Sequence, residues 1–171
     1  PGERVLVTGG AGVVDALEAR GADVVVNTGD DVVGPGVAVG GGLHRAFDDA
    51  RLRSAGRAVL DGARLCGTNR DTTFPTPRGL DPGGGSIVAA VAAVGGIAPV
   101  FAGKPEQPMA DLVADLVRVP ADEVLMVGDR VETDGLFAER LGCAFALVET
   151  GVTPPGSGTH RDIGGVVESL D

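Results

Sequence analysis

The sequence predicts an α/β fold built on a largely parallel or mixed sheet. Short β-branched runs recur along the chain, separated by stretches of helical length. Glycine, present 29 times, punctuates nearly every junction between them. The chain of 171 residues is 43% apolar with a mean hydropathy of +0.21, enough to bury a core and incompatible with intrinsic disorder.

Residues 4–8, Arg-Val-Leu-Val-Thr, read as a short buried strand, and Gly9-Gly10-Ala11-Gly12 as a turn. A helix over 13–20 follows, stopped by Gly21, and then a second strand over 22–27. A third strand covers 37–39. Asp48 or Asp49 caps a helix running to Leu60, and Gly62 ends it before a fourth strand over 63–68. From 69 to 85 three prolines and four glycines read as a long loop, of the kind that is functional or linking in compact domains. Ser86 caps an apolar helix to Val94, closed by Gly95-Gly96, where a boundary falls between a lobe over 1–95 and a lobe over 96–171. Beyond it come a strand over 99–102, a helix over 109–117 with Met109, Leu112, Val113 and Leu116 on one face, and a strand over 124–127 ending in Gly128-Asp129. A helix over 132–141, a strand over 144–148 and a loop over 151–159 complete a β-α-β-α-β, Rossmann-like piece.

Composition excludes several classes of partner. Fourteen basic against 24 acidic residues give a net charge of −10, which argues against nucleic acid and against an anionic membrane surface. The apolar stretch over 86–100 is too short, and too interrupted by Gly95-Gly96 and Pro99, to span a bilayer. Cys66 and Cys143 match no metal or redox spacing and read as free thiols in a reducing cytoplasm. Against 13 arginines there is one lysine, Lys104, between Gly103 and Pro105, which points to a task that needs a compact ammonium.

The opening Val5-Leu-Val-Thr-Gly-Gly-Ala-Gly12 invites a dinucleotide reading, but Asp15 stands where the third glycine of G-x-G-x-x-G belongs. A carboxylate there repels a pyrophosphate, and a plain strand-turn-helix is the better account. Pro82-Gly-Gly-Gly-Ser86 lacks the Lys-Ser/Thr of a P-loop and reads as a glycine-rich helix entry. Val124-Leu-Met-Val-Gly-Asp129 is more specific, because it sets a carboxylate at the C-terminal tip of a strand, where α/β sheets bind ligands. Asp134 adds a second acid at the start of the next helix, and such hard oxygens suit Mg²⁺. If the strands holding Val100 and Leu125 are neighbours, the Lys104 ammonium can share an anion with that metal, as phosphoryl transfer requires.

Gly103-Lys104-Pro105, Val127-Gly-Asp-Arg-Val-Glu-Thr-Asp134 and Leu147-Val-Glu-Thr-Gly-Val-Thr153, in that order, resemble the haloacid dehalogenase superfamily. The middle stretch, Gly67-Thr-Asn-Arg-Asp71 through Phe74-Pro-Thr76 to Gly79-Leu-Asp-Pro-Gly-Gly-Gly-Ser86, is similar to the cap-to-core signature of its subclass IIA, the phosphoglycolate, glycerol-phosphate and nitrophenyl phosphatases. The resemblance implies a C2-type α/β cap followed by the second half of a Rossmann-like core. It implies that Lys104 steadies nucleophile and phosphoryl group, that Asp129 is the Mg²⁺ ligand, and that Asp134 supports them as a catalytic acid. It further implies that Asn69, Arg70, Asp71 and Phe74 lie where the cap helps choose the leaving group of a small phosphorylated metabolite.

One departure is severe. Such enzymes open on a strand ending in D-x-D-G, whose first Asp attacks phosphorus and whose second is the general acid/base, and none of these 171 residues forms that motif. The nearest imitation, Val24-Val-Val-Asn27, carries Asn27 where a nucleophile belongs. The chain therefore reads as an incomplete and inactive portion of a Mg²⁺-dependent phosphatase that works through an aspartyl-phosphate. The alternative is a non-catalytic relative kept for binding or assembly. Either way the strand ending at Asp129 is expected to be an exposed edge, open to a complementing N-terminal core segment or to a second copy of the chain.

Overall fold

Alternation along the first strand, β1 (Arg4–Thr8), sets the layers of the first half of the protein. Leu6 packs with Val39, Leu65, Ala55, Val59, Val88 and Val91 on one face, whereas Val5 and Val7 pack with Val13, Val14 and Leu17 on the other. The computed structural model describes residues 2–30, 38–154 and 166–167. They fall into two compact units, Pro1–Phe101 and Ala102–Asp171.

The first unit holds a five-stranded parallel sheet in the order β2-β1-β3-β4-β7, with β2 (Asp23–Val26), β3 (Ala38–Gly41), β4 (Arg64–Gly67) and β7 (Val100–Phe101). Helix α1 (Ala11–Glu18) covers the Val5/Val7 face, and α2 (Asp49–Leu60) and α3 (Gly84–Gly95) cover the Leu6 face. The expected cap of α2 is present: Asp48 accepts the Arg51 N–H at 2.9 Å.

Three expectations are corrected, and one residue gains a role. The stretch read as a long loop contains an antiparallel hairpin, β5 (Thr73–Thr76) and β6 (Gly79–Pro82), which pairs Phe74 directly with Asp81. Two prolines in strands only four residues long hid it, since Pro is confined to edges and β5 and β6 pair only with each other. Ser86 does not cap α3; Gly83 is the N-cap, and the Ser86 hydroxyl donates to the Thr72 carbonyl at 2.6 Å. The strands of Val100 and Leu125 do not pair: β7 hydrogen-bonds to β4 in the first sheet, and Leu125 belongs to a different sheet. Asn27 is a structural clamp: its Nδ2 donates to Thr8 Oγ1 at 2.8 Å and to the Arg51 carbonyl at 2.9 Å, and its Oδ1 accepts the Gly29 N–H at 3.0 Å.

The second unit holds α4 (Gln107–Val117), β8 (Leu125–Gly128), α5 (Leu136–Leu141), β9 (Ala144–Val148) and β10 (Val166–Val167), in a parallel sheet ordered β10-β9-β8. Phe145 and Leu147 of β9 and Ala138 of α5 form its core, with Met126 against them. The apolar face foreseen on α4 is not buried: Leu112 is 44% and Leu116 71% exposed, and Ala110 alone is buried. On β8, an edge of this sheet, Leu125 is 58% and Val127 38% exposed. Cys66 and Cys143 are free and half-buried. Among the described residues no helix is long and apolar enough to cross a membrane.

Replacing the clamp tests its structural role. Asn27→Ala removes three hydrogen bonds of a buried side chain and leaves Thr8 Oγ1 without its donor in the core, and is expected to destabilise the protein by about 3 kcal/mol in urea denaturation. A loss under about 0.5 kcal/mol, the range of ordinary surface changes, would contradict it.

Candidate functional site

In the second unit the residues foreseen at one site do meet. The turn before α4 presents Lys104 between buried Gly103 and Pro105. Asp129 follows the tip of β8, and Asp134 sits in a single π-helical turn, Val131–Gly135, before α5. That turn is wound around the Arg130 carbonyl, which accepts the N–H groups of Thr133 at 3.2 Å and Asp134 at 2.7 Å. The extra residue of the π turn aims Asp134 back at the strand tip.

The Asp134 side chain is 7% exposed, and both oxygens are engaged. Oδ1 accepts from Lys104 Nζ at 2.6 Å, and Oδ2 accepts the backbone N–H groups of Asp129 and Arg130, each at 3.2 Å. Gly128 makes this possible, since a Cβ there would overlap the Asp134 carboxylate. Asp134 therefore acts on its neighbours: it fixes the backbone that carries Asp129 and tethers the Lys104 ammonium, whose side chain remains 43% exposed.

Asp129 is oriented from its other side. Its Oδ2 accepts the Val152 N–H at 2.8 Å, and its carbonyl accepts the Thr153 N–H at 3.1 Å. Gly151 is again the enabling residue, since its backbone lies against the Asp129 carboxylate with no room for a Cβ. Sequence reading quoted Leu147-Val-Glu-Thr-Gly-Val-Thr153 as a motif but found no contact for it; a glycine soon after a strand was the available signal. No hydrogen bond engages Asp129 Oδ1 among the described residues, so one hard carboxylate oxygen stays open on a half-buried side chain. Those residues hold no cluster of three or more His, Cys, Asp or Glu that would cage a metal alone. The donor set suits a cation that takes one carboxylate and fills its remaining positions with water or ligand oxygens, which is the habit of Mg²⁺.

Asn69, Arg70, Asp71 and Phe74 lie in the first unit. Asn69 Oδ1 accepts the Asp71 N–H at 3.1 Å, and the Asp71 carbonyl accepts the Gly85 N–H at 2.9 Å, so this turn is locked to the start of α3. A Cβ on Gly83 or Gly85 would overlap the carbonyl of Asp71 or Arg70, which explains the glycines of Pro82-Gly-Gly-Gly-Ser86. The Arg70 guanidinium lies 5.1 Å from the centre of the Phe101 ring. Phe74 alone of the four lines a cleft of about 340 Å³, beside His44, Arg45, Phe47 and Asp81. Those neighbours escaped sequence reading because only the hairpin register brings Phe74 against Asp81.

Comparison with known proteins gives a consistent picture. A family model described as HAD-hydrolase-like matches residues 101–171. The whole chain aligns at 32% identity with an acid sugar phosphatase of Staphylococcus saprophyticus, of which it covers 67%. It is 34% identical over 87% of its length to a 5'-nucleotidase of Bacillus subtilis, of which it covers 56%. Among solved structures, a p-nitrophenyl phosphatase from Archaeoglobus fulgidus superposes with a TM-score of 0.81 at 28% identity, over 99% of this chain and 65% of that one. A glycerol phosphate phosphatase from Mycobacterium tuberculosis, crystallised with magnesium, superposes with a TM-score of 0.76 at 36% identity, over 89% of this chain and 44% of that one.

The roles of the two ends of the Lys104–Asp134 pair are separable by stability. Asp134→Ala leaves two backbone N–H groups and an ammonium without their acceptor, an expected loss of about 3 kcal/mol in urea denaturation. Lys104→Ala leaves Asp134 its two backbone donors and opens the gap to water, an expected loss of about 1 kcal/mol. The reverse order would mean that the ammonium, and not the amide pair, holds the turn.

Proposed function

The chain belongs to the HAD-like hydrolases, and on that premise we propose that it carries the phosphate- and metal-binding half of a Mg²⁺-dependent phosphatase acting on small phosphate monoesters. The observation that supports this most is the pairing of a tethered, part-exposed ammonium at Lys104 with an open carboxylate oxygen at Asp129, both held by Asp134. One unit resembles a cap and the other part of a catalytic core. The half-buried free thiols fit a reducing, cytoplasmic setting.

Each residue has a task that its contacts allow. Lys104 commits one N–H to Asp134 and keeps two donors for phosphoryl oxygens, whose negative charge it offsets. Asp129 would hold Mg²⁺ through its carboxylate, whose orientation the Val152 N–H fixes. When bound, the metal supplies Lewis-acid charge neutralisation on the same oxygens. Asp134 is a positioning residue, since its acceptor oxygens are spent within the protein. Phe74 contributes an apolar surface to the leaving group. The aspartyl-phosphate chemistry of the intact enzyme needs a carboxylate nucleophile from a D-x-D-G strand that these 171 residues do not contain.

The exposed apolar residues of β8 and α4 are where we place such a complementing strand, or failing it a second copy of the chain. A charged residue on this edge is expected to oppose pairing. Sedimentation should show concentration-dependent association of the 171-residue chain, reduced in Val127→Lys; a monomer at every concentration, with high thermal stability, would count against it.

Calorimetric titration with inorganic phosphate tests the function directly. With Mg²⁺ present the phosphate affinity should rise about tenfold, by roughly 1.4 kcal/mol, and Asp129→Asn or Lys104→Ala should abolish the gain. Absence of the Mg²⁺ effect leaves the binding-or-assembly reading in its place. The chain alone should not turn over p-nitrophenyl phosphate, and Mg²⁺-dependent turnover lost in Lys104→Ala would overturn its dependence on an added nucleophile.

A further inference from the structure

A second ion pair joins the turn that carries Lys104 to the segment after β8, beside the one between Lys104 and Asp134. Arg140 Nη1 donates to Glu106 Oε2 at 3.1 Å. Glu106 stands two residues after Lys104 on the same turn, and Arg140 stands on α5, which runs straight on from the π turn of Asp134. The two pairs are thus two rungs between the same two pieces of chain. Charge alternates along each piece, positive then negative on the first and negative then positive on the second, so every group meets its opposite.

Glu106 is the N-cap of α4, yet its side chain makes no capping hydrogen bond. Its backbone sets the turn instead. The Glu106 N–H donates to the Gly103 carbonyl at 2.9 Å, and the Glu106 carbonyl accepts the Met109 N–H at 3.1 Å. The carboxylate reaches across to α5, against which α4 packs. Glu106 is half-buried and Arg140 exposed, and a pair of this kind adds little to folding stability. Its effect lies in placement: it holds the 103–106 turn, and with it the root of the Lys104 side chain, at a set distance from α5.

The two rungs respond differently to an anion. A phosphoryl group competes with Asp134 for the Lys104 ammonium, so the first rung slackens as the site fills. The second rung is made of groups outside that contest and keeps its strength. We propose that Glu106 and Arg140 are positioning residues for Lys104, whose ion pair keeps the turn in place while the ammonium exchanges part of its bond to Asp134 for one to a phosphoryl oxygen. This role rests on the phosphatase reading above, which brings a phosphoryl group to Lys104.

The test titrates the full 171-residue chain with inorganic phosphate in the presence of Mg²⁺. Lys104 is the chain's single lysine, so carbon-13 label at lysine Cε gives an NMR signal that reports this side chain alone. Glu106→Gln and Arg140→Gln should each weaken phosphate binding about threefold and move the Lys104 signal toward that of an unrestrained lysine. Arg140→Lys, which keeps the charge, should retain the affinity in calorimetry. The signs decide between placement and charge. By charge alone, loss of an acid tightens an anion and loss of a base loosens it, whereas a positioning pair requires both variants to loosen it. Opposite signs in the two variants, or a Lys104 signal unmoved in both, would overturn the proposal. If the unaltered chain binds no phosphate, the phosphatase reading at Lys104 falls and this role with it; if it binds and both variants bind equally well, the positioning role alone falls.

Discussion

The arrangement of the second unit depends on one carboxylate. Asp134 is nearly buried, and burying a charge is costly unless every lone pair finds a donor. Here the donors are the two amides at the tip of β8 and the Lys104 ammonium, so the same contacts that satisfy Asp134 also fix the loop bearing Asp129 and bring a cation beside it. Local sequence follows from that requirement. Gly128 is small because the carboxylate lies against it, and the π turn exists because an ordinary helical start would aim the side chain elsewhere. Positive charge, open carboxylate and strand tip are thus one device, not three coincident features.

Sequence reading recovered those parts of the protein that obey a period. The apolar run Val5-Leu6-Val7 gave β1 as a buried strand, and a cap at Asp48 or Asp49 gave the start of α2, which Asp48 holds. The Lys104, Asp129 and Asp134 set was legible because spacing and strand-tip position are written in the chain. Contacts made by backbone across long separations were not. The Val152 N–H on Asp129 joins residues 23 apart and leaves no mark beyond Gly151. The hairpin was lost because Pro75 and Pro82 suppress the strand signal, and with it went the register that places Phe74 against Asp81. Hairpin register is a property of two segments together, so neither segment alone discloses the cleft.

The α4 and β8 surfaces mark a different limit. Helical spacing of Met109, Leu112, Val113 and Leu116 encodes a buried face, yet Leu112 and Leu116 stay exposed among the described residues, as do Leu125 and Val127 on the edge strand. Periodicity reports that a face suits burial and is silent about what covers it. At about 25 cal/mol per Å² such side chains retain stabilisation that only a partner surface releases. The mismatch between pattern and exposure is thus information about association, and it could not have been read from either the pattern or the exposure alone.

The proposed function has a consequence for selectivity. A phosphoryl group is common to every monoester, so on the proposed function Lys104 and Asp129 would gain the same from each of them and discriminate among none. Uniform attraction of this kind sets a floor for affinity, and choice must come from groups that meet the remainder of the molecule. In the first unit Gly83 and Gly85 lie against the carbonyls of residues 71 and 70 at the start of α3, and the hairpin register sets Phe74 opposite Asp81. On the proposed function, selectivity would therefore rest on residues that carry none of the charge on which phosphate binding relies.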